Sequence, residues 1–396
     1  MSTPFRPGIE SLLGAGSNWI TGRRLGLVTH AAAVNSKGVS SSQLLADDPR
    51  CSLVALFGPE HGLFGTAGAG EPVRPGRHPA LNIPIHSLYG KQRAPTQRML
   101  TGIDTIVVDL QDLGVRCYTY VSTLRLVLEA ASEYGRGVIV ADRPTTFSST
   151  IDGPVTEPSC KSFVSLVPTP LVYGMTPGET ARWLKCSLGL AVDLKVARMR
   201  GYAGETRPAR GWPPWVPPSP AIVSRESALC YPATVSAEAF ELLDEGRGTQ
   251  LPFQVFSASR ARGADICARL ADARLPGVSF CRMHYTIGAG KRKGKLADGV
   301  RITVTNPSRF RPAVTALAIL STFQELCGTD ALWKRSRERT DFFDTLWGTP
   351  SVRLAIQAGE APRSIARGWS RELATFRRTR ESALLYRRGL TDSSRA

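Results

Sequence analysis

Short apolar runs alternate with helical patterns over the first half of the chain. Four such runs, rich in Val, Ile and Leu, occupy positions 25–29, 53–57, 105–109 and 137–141. Strands that are apolar at consecutive positions are buried on both faces, as in a parallel sheet whose crossover helices cover its two sides. The pattern therefore predicts an α/β fold built on a doubly wound parallel sheet.

The pattern changes beyond residue 195. Segment 211–220, GWPPWVPPSP, holds too many prolines for a helix or a central strand and predicts a rigid loop lined by tryptophans. Strand patterns follow at 252–257, 278–283 and 300–305, and helical patterns at 313–326 and 370–386. We therefore expect two domains, a doubly wound domain over 1–245 and a smaller α+β domain over 246–396.

The chain carries a large positive charge, because 50 Lys and Arg residues face 33 Asp and Glu residues, a net charge of +17. Such an excess favours anionic partners. No nucleic-acid recognition motif accompanies the basic residues, so we expect no nucleic-acid partner.

Cysteines and histidines show no metal-binding pattern. The eight cysteines and five histidines lack any CxxC, HxH or HExxH spacing, so we expect no metal, no cofactor and no disulfide framework. No apolar run approaches the roughly 20 residues that a membrane span needs. The first residues do not resemble an export signal. We therefore expect a cytoplasmic protein without a membrane partner.

Polar side chains follow each predicted strand, where ligands bind in open parallel sheets. The sharpest candidate is Glu60, in the GPEHG loop at 58–62. The glycines and the proline of this loop favour a tight turn, and a carboxyl group at the mouth of an apolar cleft suits a general acid. Alternatively, Glu60 is a loop residue that only pairs with an arginine. His61 is a ligand, a base or a packing residue.

Further candidates follow the third and fourth strands. Asp112 and Asp142 supply second carboxylates, and Arg116, Tyr118 and Arg143 lie close to them in the sequence. Each carboxylate also has a structural interpretation, because Asp112 could cap a helix or pair with Arg116, and Asp142 could pair with Arg143.

Motifs of several other enzyme classes are missing. The sequence has no GxSxG nucleophile elbow, and its glycines fit neither the GxGxxG nor the P-loop spacing. A serine hydrolase of that type and a nucleotide-binding protein are therefore disfavoured.

A series of ordered motifs resembles a known family. In chain order they are GPEHGLFG (58–65), SLYG (87–90), VVDLQDLGVRCYTYVSTL (107–124), ADRP (141–144), DGP (152–154), YGMTPGE (173–179), WVPPSP (215–220) and DEGRGT (244–249). They resemble the exo-β-N-acetylmuramidases of glycoside hydrolase family 171, over essentially the whole chain. The resemblance implies a Rossmann-like N-terminal domain, a smaller C-terminal domain that closes the cleft, and release of N-acetylmuramic acid from the non-reducing end of peptidoglycan fragments, without metal or cofactor.

Carried over by motif, the glutamate of the family's EHG sequence is Glu60, the same residue that the loop pattern indicates. Glu129 matches another family glutamate, although a packing or capping role on its helix is an equal interpretation. The sequence reads DRPTT at 142–146 where the family has DRPNP, and segment 71–81 is shorter. These departures bear on substrate preference rather than on reaction type.

Substrate contacts are expected from seven residues near the cleft: His61, Arg116, Tyr118, Arg143, Trp215, Ser219 and Arg247. Arg116, Arg143 and Arg247 are the candidates for pairing with the lactyl carboxylate that distinguishes N-acetylmuramic acid from N-acetylglucosamine. Trp215 could stack on a sugar ring or form a buried hinge. A non-catalytic binder of cell-wall or other acidic glycans is the alternative function.

Overall fold

The computed structural model describes residues 4–14, 17–204, 212–333 and 337–387. Its strands are β1 (Arg24–Thr29), β2 (Ser52–Gly58), β3 (Gly76–Arg77), β4 (Pro84–Ser87), β5 (Thr105–Asp109), β6 (Gly137–Ala141), β7 (Asp152–Val155), β8 (Pro170–Val172), β9 (Leu194–Ala197), β10 (Leu243–Asp244), β11 (Val255–Ala258), β12 (Val278–Thr286) and β13 (Leu296–Val304). Its α-helices are α1 (Gly8–Leu12), α2 (Ser41–Ala46), α3 (Tyr120–Glu133), α4 (Pro177–Ser187), α5 (Arg225–Thr234), α6 (Gly263–Asp272), α7 (Pro312–Cys327), α8 (Thr329–Trp333), α9 (Arg337–Trp347), α10 (Ser351–Gln357), α11 (Pro362–Gly368) and α12 (Ser370–Glu381).

The large sheet has seven strands in the order β3-β4-β2-β1-β5-β6-β9. All neighbours pair in parallel except β3, which runs antiparallel to β4 at the edge. Counted along the chain, the six parallel strands lie in the order 3-2-1-4-5-6 of doubly wound folds. The predicted α/β class and doubly wound sheet are confirmed.

Side chains of the central strands alternate between two apolar layers, as the pleat of a strand requires. Leu27 and Val107 belong to the layer that α1 and α2 cover. Val28 and Val108 point to the opposite layer, which α3 and α4 cover and which continues into the second domain. Helices on both faces explain why the strands are apolar at consecutive positions.

The second domain contains an antiparallel sheet in the order β10-β11-β13-β12, in which the long strands β12 and β13 form a hairpin. Helices α6 and α7 pack beside each other, and α7 is buried along most of its length. A second domain with an antiparallel sheet agrees with the predicted α+β architecture. No helix within the described residues is long and apolar enough to span a membrane.

Two local features differ from the sequence-based expectations. The helical pattern preceding the third predicted strand, near residues 96–100, forms consecutive turns instead of a helix. Strands β4 and β9 join the parallel sheet although neither was predicted. Both are short and interrupted by polar or proline residues, as is common near sheet edges.

Candidate active site

The strand order reverses between β1 and β5, so the loops that follow these strands diverge and leave a crevice between them. Doubly wound folds bind ligands in such a crevice, at the carboxyl ends of the strands. The loops after β2 and β6 border the same edge of the sheet.

Glu60 lies two residues after β2, in a loop whose backbone is tightly constrained. His61 and Gly62 both adopt the left-handed conformation, with φ of 69° and 76°, and so turn the chain sharply after Glu60. A side chain at Gly58 would place its Cβ only 2.8 Å from the Leu63 nitrogen. Left-handed non-glycine residues are uncommon, and local strain of this kind clusters at functional sites.

The Glu60 carboxylate accepts hydrogen bonds from both sides. The Thr119 hydroxyl donates to Oε2 at 2.6 Å, and the Gly70 N–H donates to Oε1 at 3.1 Å. Thr119 is the N-cap residue of α3, yet its hydroxyl makes no capping hydrogen bond to the helix. The Thr119 side chain therefore orients the carboxylate instead of stabilising the helix end.

Tyr89, in the loop after β4, lies near Glu60 and near Glu238. Burial first, and then the nearby Glu60 carboxylate, raise the pKa of Tyr89 to about 12, and Glu238 contributes in the same direction. The Tyr89 hydroxyl therefore lies in the electrostatic field of two carboxylates that are far apart in the chain. Glu238 in turn forms an ion pair with Arg247.

Arg247 is held by three neighbours. Its Nε lies 2.9 Å from Glu245 Oε1, its Nη2 contacts Glu238, and its guanidinium lies 4.8 Å from the centre of the Phe253 ring. Burial raises the pKa of Glu245 to about 7, and Arg247 opposes that shift. The donors of Arg247 are thus directed at two carboxylates of the protein, which argues against its predicted role with a substrate carboxylate.

The two histidines nearest the crevice are both fixed by main-chain groups. Nδ1 of His61 hydrogen-bonds to the Ala67 carbonyl at 2.9 Å. Nε2 of His30 accepts from the Gln111 N–H at 2.9 Å, and burial and the neighbouring Arg143 lower the pKa of His30 to about 3. His30 is therefore neutral at physiological pH and supports the strand ends.

Asp112 and Asp142, the predicted second carboxylates, are enclosed by protein donors. Asp112 accepts from the Leu113 N–H at 2.8 Å and from the Tyr173 hydroxyl, and burial raises its pKa to about 6. Asp142 is fully buried, and burial raises its pKa to about 7. Its donors are Arg143 N–H, Thr176 hydroxyl, Gly178 N–H and Tyr386 hydroxyl.

Neither predicted ion pair of these two carboxylates forms. Arg143 pairs through Nε and Nη2 with Asp109, the last residue of β5. Arg116 is completely buried and donates to the main-chain carbonyls of Pro154, Thr169, Leu346 and Trp347. Arg116 therefore ties the first domain to the end of α9, a structural role that its sequence position did not reveal.

The remaining predicted residues lie in three places. Glu129 is on α3, where its carboxylate pairs with Arg125 at 2.8 Å. Tyr118 and Ser219 are buried next to each other, and Tyr118 packs its ring 4.8 Å from that of Tyr120. Trp215 donates from Nε1 to the Ile222 carbonyl at 3.2 Å and is only partly buried.

Three residues of the site escaped the sequence-based interpretation: Thr119, Tyr89 and Glu238. Thr119 and Tyr89 belong to the quoted motifs YTYVSTL and SLYG, so a motif signal existed without indicating a contact with Glu60. Glu238 had no such signal. Among the described residues, no group of three or more His, Cys, Asp or Glu side chains is arranged to hold a metal ion.

Comparisons with known proteins agree with this architecture. Residues 25–226 match the family model for the N-terminal part of the exo-beta-N-acetylmuramidase NamZ, and residues 229–386 match the model for its C-terminal part. The peptidoglycan beta-N-acetylmuramidase NamZ of Bacillus subtilis is 36% identical over 96% of this chain and 91% of its own length.

Two crystal structures of DUF1343 family proteins from Bacteroides fragilis have the same fold. One is 31% identical in sequence and superimposes with a TM-score of 0.88. The alignment covers 97% of this chain and 99% of the other. The second is 24% identical in sequence and superimposes with a TM-score of 0.77. Its alignment covers 98% of this chain and 100% of the other. The motif resemblance and the glycosidase class are confirmed: the chain belongs to the NamZ family of exo-β-N-acetylmuramidases.

Proposed function

We propose that this protein releases N-acetylmuramic acid from the non-reducing end of peptidoglycan-derived saccharides, with Glu60 as the general acid and base. The observation that carries the proposal is the Glu60 carboxylate itself. It lies at the carboxyl end of β2, and it is 8% exposed and oriented by donors on both oxygens. The family relationship supports the reaction class, and the loop geometry supports the residue.

Glycoside cleavage requires an acid that protonates the leaving oxygen, because an alkoxide is a poor leaving group. Glu60 performs this step and then removes a proton from the water that completes hydrolysis. Thr119 and Gly70 hold the carboxyl group in one orientation, which limits the reorganisation needed when the substrate enters. The three carboxylates predicted as partners are already bonded within the protein, so the proposal assigns proton transfer to Glu60 alone.

The test is hydrolysis of a chromogenic N-acetylmuramide, with the corresponding N-acetylglucosaminide as the substrate control. We expect Glu60→Gln to lower kcat by roughly 10²–10⁴-fold, the usual contribution of general acid–base catalysis. The thermal midpoint should change little, because glutamine can still accept from Thr119.

Glu71→Gln is the matched control in the same loop, since Glu71 accepts from the Gly68 N–H at 2.8 Å. It should keep wild-type turnover. A folded Glu60→Gln variant with near-normal activity would refute the assignment. A wild-type protein that binds the muramide without cleaving it would favour the glycan-binding alternative.

A further inference from the structure

A pocket opens at the strand-order reversal, on the edge of the sheet where the strands carry their carboxyl ends. Its floor is formed by the segments that follow β1, β5 and β6, and its wall by the proline-rich loop and the start of α5. The residues that determine its chemistry are Gln111, Arg143, Trp212, Trp215 and Arg225. Among the described residues, the lining includes two arginines and no carboxylate; Arg143 is paired with Asp109, so Arg225 supplies the positive charge of the pocket.

Arg225 is the first residue of α5, and its guanidinium lies 5.2 Å from the ring centre of Trp212 and 5.2 Å from that of Trp215. No described residue forms a hydrogen bond or ion pair with this guanidinium, which is only partly exposed. Burial lowers the pKa of Arg225, because the cation loses water, and the neighbouring Glu226 carboxylate only partly opposes that shift. The two indole faces offset part of that loss through cation–π attraction and hold the guanidinium plane in place.

The three arginines that the sequence suggested for a substrate carboxylate differ from Arg225. Arg116 donates to four carbonyls, and Arg247 is paired with two glutamates. Arg143 lines the pocket but directs Nε and Nη2 at Asp109. Among the described residues, none accepts a hydrogen bond from Arg225, and a planar guanidinium is the group best suited to bidentate pairing with a carboxylate.

We propose that this pocket is a substrate subsite in which Arg225 binds a carboxylate while Trp212 and Trp215 contact the adjoining apolar face of the same ligand. The proposal rests on the proposed function for the identity of the ligand. Peptidoglycan fragments carry suitable carboxylates in two places, the lactyl ether of the muramic acid ring and the end of an attached peptide. Both present the same chemistry, and the test below separates them.

The experiment is a binding titration of the protein, monitored by intrinsic tryptophan fluorescence because two tryptophans line the pocket. The probes are N-acetylmuramic acid, N-acetylglucosamine and an N-acetylmuramoyl dipeptide, in which an amide replaces the lactyl carboxylate. We expect the wild-type protein to bind a carboxylate-bearing probe better than N-acetylglucosamine, by roughly ten- to hundredfold.

Arg225→Gln should abolish that preference while leaving the weak binding of N-acetylglucosamine unchanged. Arg225→Lys keeps the charge but not the planar group, so it should retain part of the preference and shows whether the helix start tolerates substitution. Lys195→Gln is the matched control, because Lys195 lies 5.8 Å from the Trp19 ring at the opposite edge of the sheet. It should bind all three probes as the wild type does.

Each outcome has a defined meaning. A preference for N-acetylmuramic acid that disappears in Arg225→Gln identifies the lactyl carboxylate, and a preference confined to the dipeptide identifies the peptide carboxylate. An unchanged preference in Arg225→Gln, equal loss of all three probes, or no preference in the wild type overturns the proposal. Since the titration needs no turnover, a protein that binds through Arg225 but hydrolyses no muramide would overturn the proposed function alone.

Discussion

Glu60 and Asp142 follow parallel strands of one sheet and end at the same edge, yet their surroundings are opposite. Asp142 is 0% exposed and accepts from four donors, among them the Gly178 N–H at 2.7 Å and the Tyr386 hydroxyl at 2.7 Å. Glu60 is 8% exposed and accepts from one hydroxyl and one loop N–H. Besides the adjacent Arg143 N–H, the donors of Asp142 come from the start of α4, including its N-cap Thr176, and from Tyr386, so this carboxylate joins distant parts of the chain.

The difference shows that polar residues at strand ends serve two separate purposes. A carboxylate surrounded by donors on rigid elements is already satisfied, and a substrate cannot compete for it without breaking the fold. A carboxylate with fewer donors and some exposure, such as Glu60, can exchange a protein contact for a substrate contact. The sequence showed that both residues were polar strand ends, but their partners decide which one is available for chemistry.

Arg116 gives the largest expected effect on the structural side of this comparison. Replacing it by methionine leaves four buried carbonyls without donors, so Arg116→Met should lower the free energy of unfolding by about 4 kcal/mol. Urea denaturation measures this change. Arg262→Met removes an exposed pair with Asp265 and should change stability by less than about 0.5 kcal/mol. Equal effects of the two substitutions would contradict the structural role of Arg116.

Much of the fold follows from local pattern, because β1, β2, β5 and β6 are continuous apolar runs bounded by turns. The capping box that starts α4 was equally predictable: the Thr176 hydroxyl accepts from the Glu179 N–H, and the Glu179 carboxylate accepts from the Thr176 N–H. Such features depend on residues three to eight positions apart. They are therefore visible in a single sequence.

The site is less readable, because its contacts join residues far apart in the chain. Thr119 donates to Glu60 across 59 positions, and Arg116 reaches Trp347 across 231. The sequence located Glu60 correctly at a strand end but offered Arg116 as a ligand, since both follow strands. The sequence did not indicate Arg225, because its environment depends on two tryptophans that the fold places against its guanidinium.

His30 gives the next largest expected effect, a change in the pH dependence of stability. It follows β1, which lies between the strands that carry Glu60 and Asp142. Its folded-state pKa of about 3 lies below the ordinary value of 6.5, so only the unfolded chain takes up the proton between these pH values. As the pH falls below 6.5, the free energy of unfolding of the wild-type protein should therefore decrease by about 1.4 kcal/mol per pH unit more than that of His30→Gln. Denaturation midpoints at pH 7, 6 and 5 measure the slopes, and parallel slopes would show that His30 is not held neutral.

Thr119 tests whether the hydrogen bonds to the Glu60 carboxylate matter for catalysis. Thr119→Val keeps the shape of the side chain but removes the hydroxyl that donates to Glu60 at 2.6 Å. We expect kcat to fall roughly tenfold with little change in KM, because the hydroxyl orients the carboxyl group rather than the substrate. Thr119→Ser restores the donor and should recover most of the activity. Steady-state kinetics on the chromogenic muramide distinguish the two variants, and full activity of Thr119→Val would remove Thr119 from the site.

Glu129 gives the smallest expected effect, although the family resemblance offered it as a second catalytic carboxylate. It is paired with Arg125 one helical turn away at 2.8 Å, and its side chain is 33% exposed. Pairs of this kind on a helix surface contribute only a few tenths of a kcal/mol, so Glu129→Gln should change stability by less than about 0.5 kcal/mol. Turnover of the muramide should stay within about twofold of the wild type, because Arg125 is anchored independently by the Leu166 carbonyl. A loss of kcat comparable to that of Glu60→Gln, in a protein of unchanged stability, would make Glu129 the partner of Glu60. In that case the number of protein donors around a carboxylate would no longer separate the structural residues of this sheet from the catalytic ones.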